Sequence, residues 1–145
     1  MMANRKGSYE MSYIKINPHA TESQLVGIIP KVIVKYYGIK CSSYEVYLPP
    51  GVLKHLKKRG HWDDFIKYHE NLPNMISSPD YAGQNPDEPD SVELYSIMGD
   101  RILIAIKLKP STDLFLGTFF ILKNGDKKIQ GRLNTGRIHP FSSFF

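Results

Sequence analysis

Residues 91–123 read SVELYSIMGD RILIAIKLKP STDLFLGTFF ILK and contain three strand-like runs in succession, Ser91–Met98, Arg101–Lys109 and Phe115–Lys123. Met98-Gly99-Asp100-Arg101 supplies a tight hairpin between the first two. In the second run Ile102, Ile104 and Ile106 alternate with Leu103, Ala105 and Lys107. That strand is apolar on both faces, the pattern of a strand in the middle of a sheet. Asn124-Gly125-Asp126 ends the third run. Lys127–Leu133 follows as a short basic helix or turn, and Arg137–Phe141 reads as a closing strand.

The first half has a different rhythm. Leu25-Val26-Gly27-Ile28-Ile29 reads as a short strand, and Pro30 suits the first turn of a helix. Val32, Ile33, Tyr36 and Tyr37 recur in helical phase, and Gly38 caps them. A second short strand, Tyr44–Leu48, stops at Pro49-Pro50, which open another helix. There Leu53 and Leu56 face inward, Lys54, Lys57, Lys58 and Arg59 are basic, and Gly60 ends the run. Asp63 or Asp64 caps the next helix, whose apolar face is Phe65, Ile66 and Tyr68. Pro73 begins a last helical turn through Ile76, Ser78-Pro79-Asp80-Tyr81 is an extended exit, and residues 83–90 form a polar loop. Residues 1–23 make an N-terminal arm without a sustained period, in which Tyr9, Met11, Tyr13, Ile14 and Ile16 form a short strand or pack loosely across the body. The expected fold is α+β over residues 24–145, with helices from the first half packed on an antiparallel sheet made by the second.

A chain of 145 residues holds one domain with a self-sufficient core. The single cysteine, Cys41, excludes an internal disulfide framework and a Cys-rich zinc site, and reads as a buried or half-buried thiol. The longest apolar run is Ile102–Ile106, five residues against the roughly 20 of a membrane helix. Residues 1–20 also lack the apolar stretch of a secretory signal, so a soluble, cytoplasmic protein without a membrane partner is expected. Net charge is +5, and the excess is unevenly spread. Residues 80–100 carry six acids and no Lys or Arg; taking that −6 away from +5 leaves +11 on the remainder. Such asymmetry suits a polyanionic partner, nucleic acid first.

The densest candidate site is His55-Leu56-Lys57-Lys58-Arg59-Gly60-His61. His55 and Arg59, four residues apart, share one helical face, while His61 lies beyond the Gly60 cap and is free to turn towards that face or away from it. Imidazole exchanges protons near neutrality, and the flanking cations suit a phosphodiester whose transition state gains negative charge. The same residues also fit a solvated basic helix. A second basic segment brings Lys123, Lys127, Lys128, Arg132 and Arg137, and Thr118 offers a mid-strand hydroxyl to a phosphate oxygen. No metal site is expected, because His55, His61 and His69 lack a carboxylate at ligand spacing. No Gly-rich phosphate loop is present, and no cofactor is expected. A DNA-binding regulator fits poorly, since no recognition helix follows a suitable turn.

Taken in order, the residues Val26-Gly27-Ile28-Ile29-Pro30, Gly38, Val46-Tyr47-Leu48, His55-x-x-Lys58-Arg59-x-His61, Ser78-Pro79-Asp80-Tyr81-x-Gly83 and Gly117-Thr118-Phe119-Phe120 form a recognisable series. It resembles the phage-associated nuclease domains grouped with barnase, EndoU, colicin nucleases and RelE toxins, over roughly residues 24–140. The resemblance implies N-terminal helices on a four-stranded antiparallel sheet. It also implies a metal-independent endoribonuclease of phage or mobile-element origin, a toxin or effector with RNA as partner. In that chemistry the RNA 2′-OH attacks the adjacent phosphate. Carried onto this chain, His55 and His61 are the acid–base candidates, Thr118 orients the phosphate, and Lys58, Arg59 and Arg132 stabilise its charge. Lys54, Lys127 and Lys128 extend the RNA-binding face. The alternative is a catalytically silent binding module of the same fold, which contacts a host or phage protein through the acidic 80–100 region in defence or counter-defence.

Overall fold

Each proline-led run of the first half becomes a helix in the computed structural model, which describes residues 14–145. Pro30 precedes α1 (Lys31–Tyr36) and Pro49-Pro50 opens α2 (Pro50–Lys58). α3 (Trp62–Tyr68) follows, and Pro73 lies in the first turn of α4 (Leu72–Ser77). Proline is at home there because the first N–H groups of a helix have no partner within it. α3 departs from expectation at its start: His61 is the capping position and Asp63 and Asp64 lie within the first turn, with no side-chain cap bond. Their carboxylates still lie where the helix dipole favours negative charge.

The sheet is larger than the four antiparallel strands expected. It contains β1 (Gln24–Ile28), β2 (Glu45–Leu48), β3 (Tyr81–Gly83), β4 (Ser91–Ile97), β5 (Arg101–Leu108), β6 (Leu114–Ile121) and β7 (Ile138–Pro140). Their order is β1-β2-β6-β5-β4-β3-β7, and the β2–β6 pairing is parallel, so the sheet is mixed. The α+β class stands. The first half is not only a helical layer, however, because it supplies β1, β2 and β3. Tyr81–Gly83, expected as an exit leading into a loop, pairs with both β4 and β7. β4 and β5 occupy the middle, and residues 91–96 and 102–106 are buried throughout.

Strand alternation divides the core into two layers. On one face Ile102, Ile104, Ile106, Leu116 and Phe119 pack with Leu56, Phe65, Leu72 and Ile76 of the first-half helices. On the other, Tyr95 and Leu103 pack with Leu122, Ile138 and Ile129 of α5 (Gly125–Asn134), the helix that follows β6. Fully burying one such aliphatic or aromatic side chain stabilises the fold by roughly 1.5–3 kcal/mol. Ile16 is also buried, and Ile14 and Ala20 pack on the larger layer. Tyr9, Met11 and Tyr13 lie outside the described residues.

Candidate functional site

The end of α2 decides where the histidines go. Gly60 has φ +78°, the left-handed conformation that glycine adopts without a Cβ penalty. The turn doubles the chain back, and the His61 amide donates to Leu56 O at 2.9 Å. His55, Arg59 and His61 consequently line one cavity of about 230 Å³, whose far wall is β6 at Gly117, Thr118, Phe119 and Phe120. The His61 and Phe120 rings lie 6.0 Å apart. β2 pairs with β6 only at Leu114 and Phe115. Beyond those residues this edge of β6 has no strand neighbour among the described residues, and the α2–α3 turn faces it instead.

A bulge aims the opposite wall. The β5–β6 register shifts so that Ala105 faces Thr118 and Ile106 faces Leu116, leaving Gly117 as the extra residue. A Cβ at Gly117 would come within 2.8 Å of Lys107 Cδ, so the Lys107 stem crosses closely over this strand. Thr118 and Phe120 turn to the α5 side of the sheet and form a wall shared with a second cavity of about 250 Å³.

Ionised side chains dominate that second cavity. Glu93 is 6% exposed, and its carboxylate accepts from Arg137 Nε at 3.0 Å and Nη2 at 2.6 Å. Tyr95 Oη donates to Glu93 Oε1 at 3.0 Å and accepts from Arg132 Nη1 at 2.7 Å. Burial first, and then the Glu93 charge, push the Tyr95 phenol well above its ordinary value. The bonds from Arg137 to Glu93 raise the Arg137 guanidinium in turn. At the rim, Lys107 pairs with Glu88 at 3.2 Å.

The two cavities adjoin at Thr118 and Phe120, with two imidazoles and a guanidinium group lining the first and two guanidinium groups lining the second. Residues 23–130 match the family described as phage-Barnase-EndoU-ColicinE5/D-RelE like nuclease3 (PBECR3). The chain belongs to this nuclease family. The match covers most of the 145 residues and ends inside α5, so it includes the histidine turn, the bulged strand and Glu93 but stops just short of Arg132. No curated protein and no solved structure matches the chain closely enough to compare.

Of the expected site residues, the structure brings His55, His61, Thr118 and Arg59 to one cavity. Arg132 lies in the neighbouring cavity, reached across Thr118 and Phe120. Lys54 turns to another side of α2 and lines a separate hollow with His19 and Pro50, because successive helical residues are about 100° apart. Lys58, Lys127 and Lys128 are exposed and line neither PBECR3 cavity. Within the acidic stretch Asp80 accepts from the Ile97 amide at 2.7 Å, Asp100 accepts from Tyr68 Oη at 2.7 Å and Glu93 is buried, while Asp87, Glu88 and Asp90 are exposed.

Glu93 and Tyr95 escaped sequence reasoning as site residues, and Arg137 reads there only as one cation of the second basic segment. The available signal was a lone carboxylate between Val92 and Leu94 in a strand otherwise too apolar to be solvated. Cys41 is half-buried as expected, and burial raises its thiol. Among the described residues no three His, Cys, Asp or Glu side chains gather as a metal-binding group, and no helix is long and apolar enough to cross a membrane.

Proposed function

We propose that this nuclease acts on RNA by metal-independent transesterification, as a toxin or effector of phage or mobile-element origin. The observation that carries the reading is the meeting of His55, His61, Arg59 and Thr118 around one open cavity. RNA supplies its own nucleophile, the 2′-OH, so the protein has two proton transfers to perform. One imidazole takes the 2′ proton as the 2′ oxygen bonds to phosphorus. The other gives a proton to the 5′ oxygen as its bond to phosphorus breaks, leaving a 2′,3′-cyclic phosphate and a free 5′-OH. Arg59 offsets the charge that builds on the non-bridging oxygens, Thr118 orients them, and Arg132 adds positive charge for the strand beyond Thr118.

The test is incubation of total RNA or tRNA with the purified protein in EDTA, alongside His55→Ala. The expected result is fragments ending in cyclic phosphate from the wild type and about 10²–10⁴-fold slower cleavage by the variant. Intact RNA across the neutral pH range, or equal cutting by both proteins, would sink the reading.

A further inference from the structure

The second cavity carries more charge than its internal bonds consume. Its ionised groups are Glu88, Glu93, Lys107, Arg132 and Arg137, which together leave one positive charge. Arg137 is taken up by Glu93 and Lys107 by Glu88. Among the described residues no carboxylate pairs with Arg132, which is held by Tyr95 Oη through Nη1 and keeps its other N–H groups for a ligand. Beside it lies an apolar floor of Leu103, Ala105 and the Phe120 ring. A site with one spare guanidinium and a flat apolar surface matches a group with one negative charge and one planar face. A nucleotide within a strand is such a group.

We propose that this cavity is the subsite for one unpaired nucleotide next to the cleaved bond, with its phosphodiester on Arg132 and its base on the Phe120 side of the floor. The inference rests on the nuclease reading above and deepens it. Adjacency follows from the shared wall, since Thr118 and Phe120 line both cavities. Single-strandedness follows from the floor, because a base can lay its face on an aromatic ring only when it is not stacked inside a duplex. Glu93 and Tyr95 are positioning residues here, because they fix the forks of Arg137 and Arg132 without facing the ligand as free groups.

The probe is a short fluorescent 2′-O-methyl RNA, which cannot be cut because its 2′ oxygen is blocked. Its affinity for the wild type, Arg132→Gln, Arg132→Lys and Phe120→Leu is measured by anisotropy over a series of salt concentrations. Arg132→Gln should weaken binding about tenfold and flatten the slope of log K against log salt by about 0.7, the value of one phosphate contact on a single strand. Arg132→Lys should keep the slope, and Phe120→Leu should weaken binding several-fold with the slope unchanged. The same strand annealed to its complement should bind more weakly and ignore all three substitutions. Wild-type affinity in Arg132→Gln, or a duplex bound as tightly as the single strand, overturns the subsite. Binding through Arg132 by a protein that leaves unmodified RNA intact would support the subsite while defeating the nuclease reading. RNA cleavage with an unchanged KM in Arg132→Gln would do the reverse.

Discussion

The two cavities that meet at Thr118 are built in opposite ways. The histidine cavity draws His55, Arg59 and His61 from seven consecutive residues, 55–61, and these three are exposed or half-buried with no ion pair among the described residues. The arginine cavity draws on β4, β5, α5 and the segment before β7, and joins Glu93 to Arg137 across 44 residues of chain. Its members are tied to one another at 2.6–3.0 Å. The difference is one of burial: the first set keeps its contact with solvent, and the second is largely withdrawn from it. Charges held in a half-buried place need partners, since an unpaired buried charge is strongly destabilising.

The largest effect expected from breaking this contrast is on catalysis. His55→Ala should lower RNA cleavage by about 10²–10⁴-fold while changing folding stability by no more than about 0.5 kcal/mol, because the side chain is exposed and unpaired. Single-turnover cleavage and urea unfolding of one preparation measure both. Glu93→Ala should behave conversely. It strands Arg137 against a buried wall and should cost about 3–5 kcal/mol in the same unfolding experiment. Equal stability losses in the two variants would erase the distinction between the cavities.

A smaller change sharpens it. Gly60→Ala places a Cβ at φ +78°, and the left-handed conformation costs an ordinary residue about 1–2 kcal/mol. Cleavage should fall as well, because the turn that returns His61 to the cavity is strained, and Gly60→Asn should recover part of both losses. The smallest effect lies outside the site. The hydrogen bond from Tyr68 Oη holds the Asp100 carboxyl below its ordinary 3.8, with Lys67 adding to the shift. A depressed folded-state value means that the contribution is complete above pH 3.8 and is lost as pH falls below it. Asp100→Asn should therefore flatten the acid side of the Tm–pH curve and leave cleavage near neutrality unchanged.

Legibility in the sequence follows the same division. The β4–β5 hairpin, the proline-led helices and the Gly60 stop are written in adjacent residues, and each appears close to its expected place. The parallel β2–β6 pair and the short β3–β7 pair are not local. Tyr44–Leu48 and Arg137–Phe141 read as strands, but β3, at three residues, has too little alternation to declare itself, and the pairing of all three depends on which edge the rest of the sheet leaves open. Acids counted along residues 80–100 looked like one solvated surface. Glu93 differs from its neighbours only because strand register turns it onto the face where Arg137 arrives from the far end of the chain.

The sequence by itself determined an α+β domain, a basic turn with two histidines and a hydroxyl on a glycine-marked strand, because period, caps and turns act over a few residues. The tertiary structure decided that the strand wall is common to two cavities, and that Arg132 is the cation of the second cavity with no carboxylate partner among the described residues. It also placed Lys54, Lys58, Lys127 and Lys128 outside the cavities that His55 and Arg132 line. Net charge is a property of composition. A site requires charges to converge, and convergence belongs to the fold.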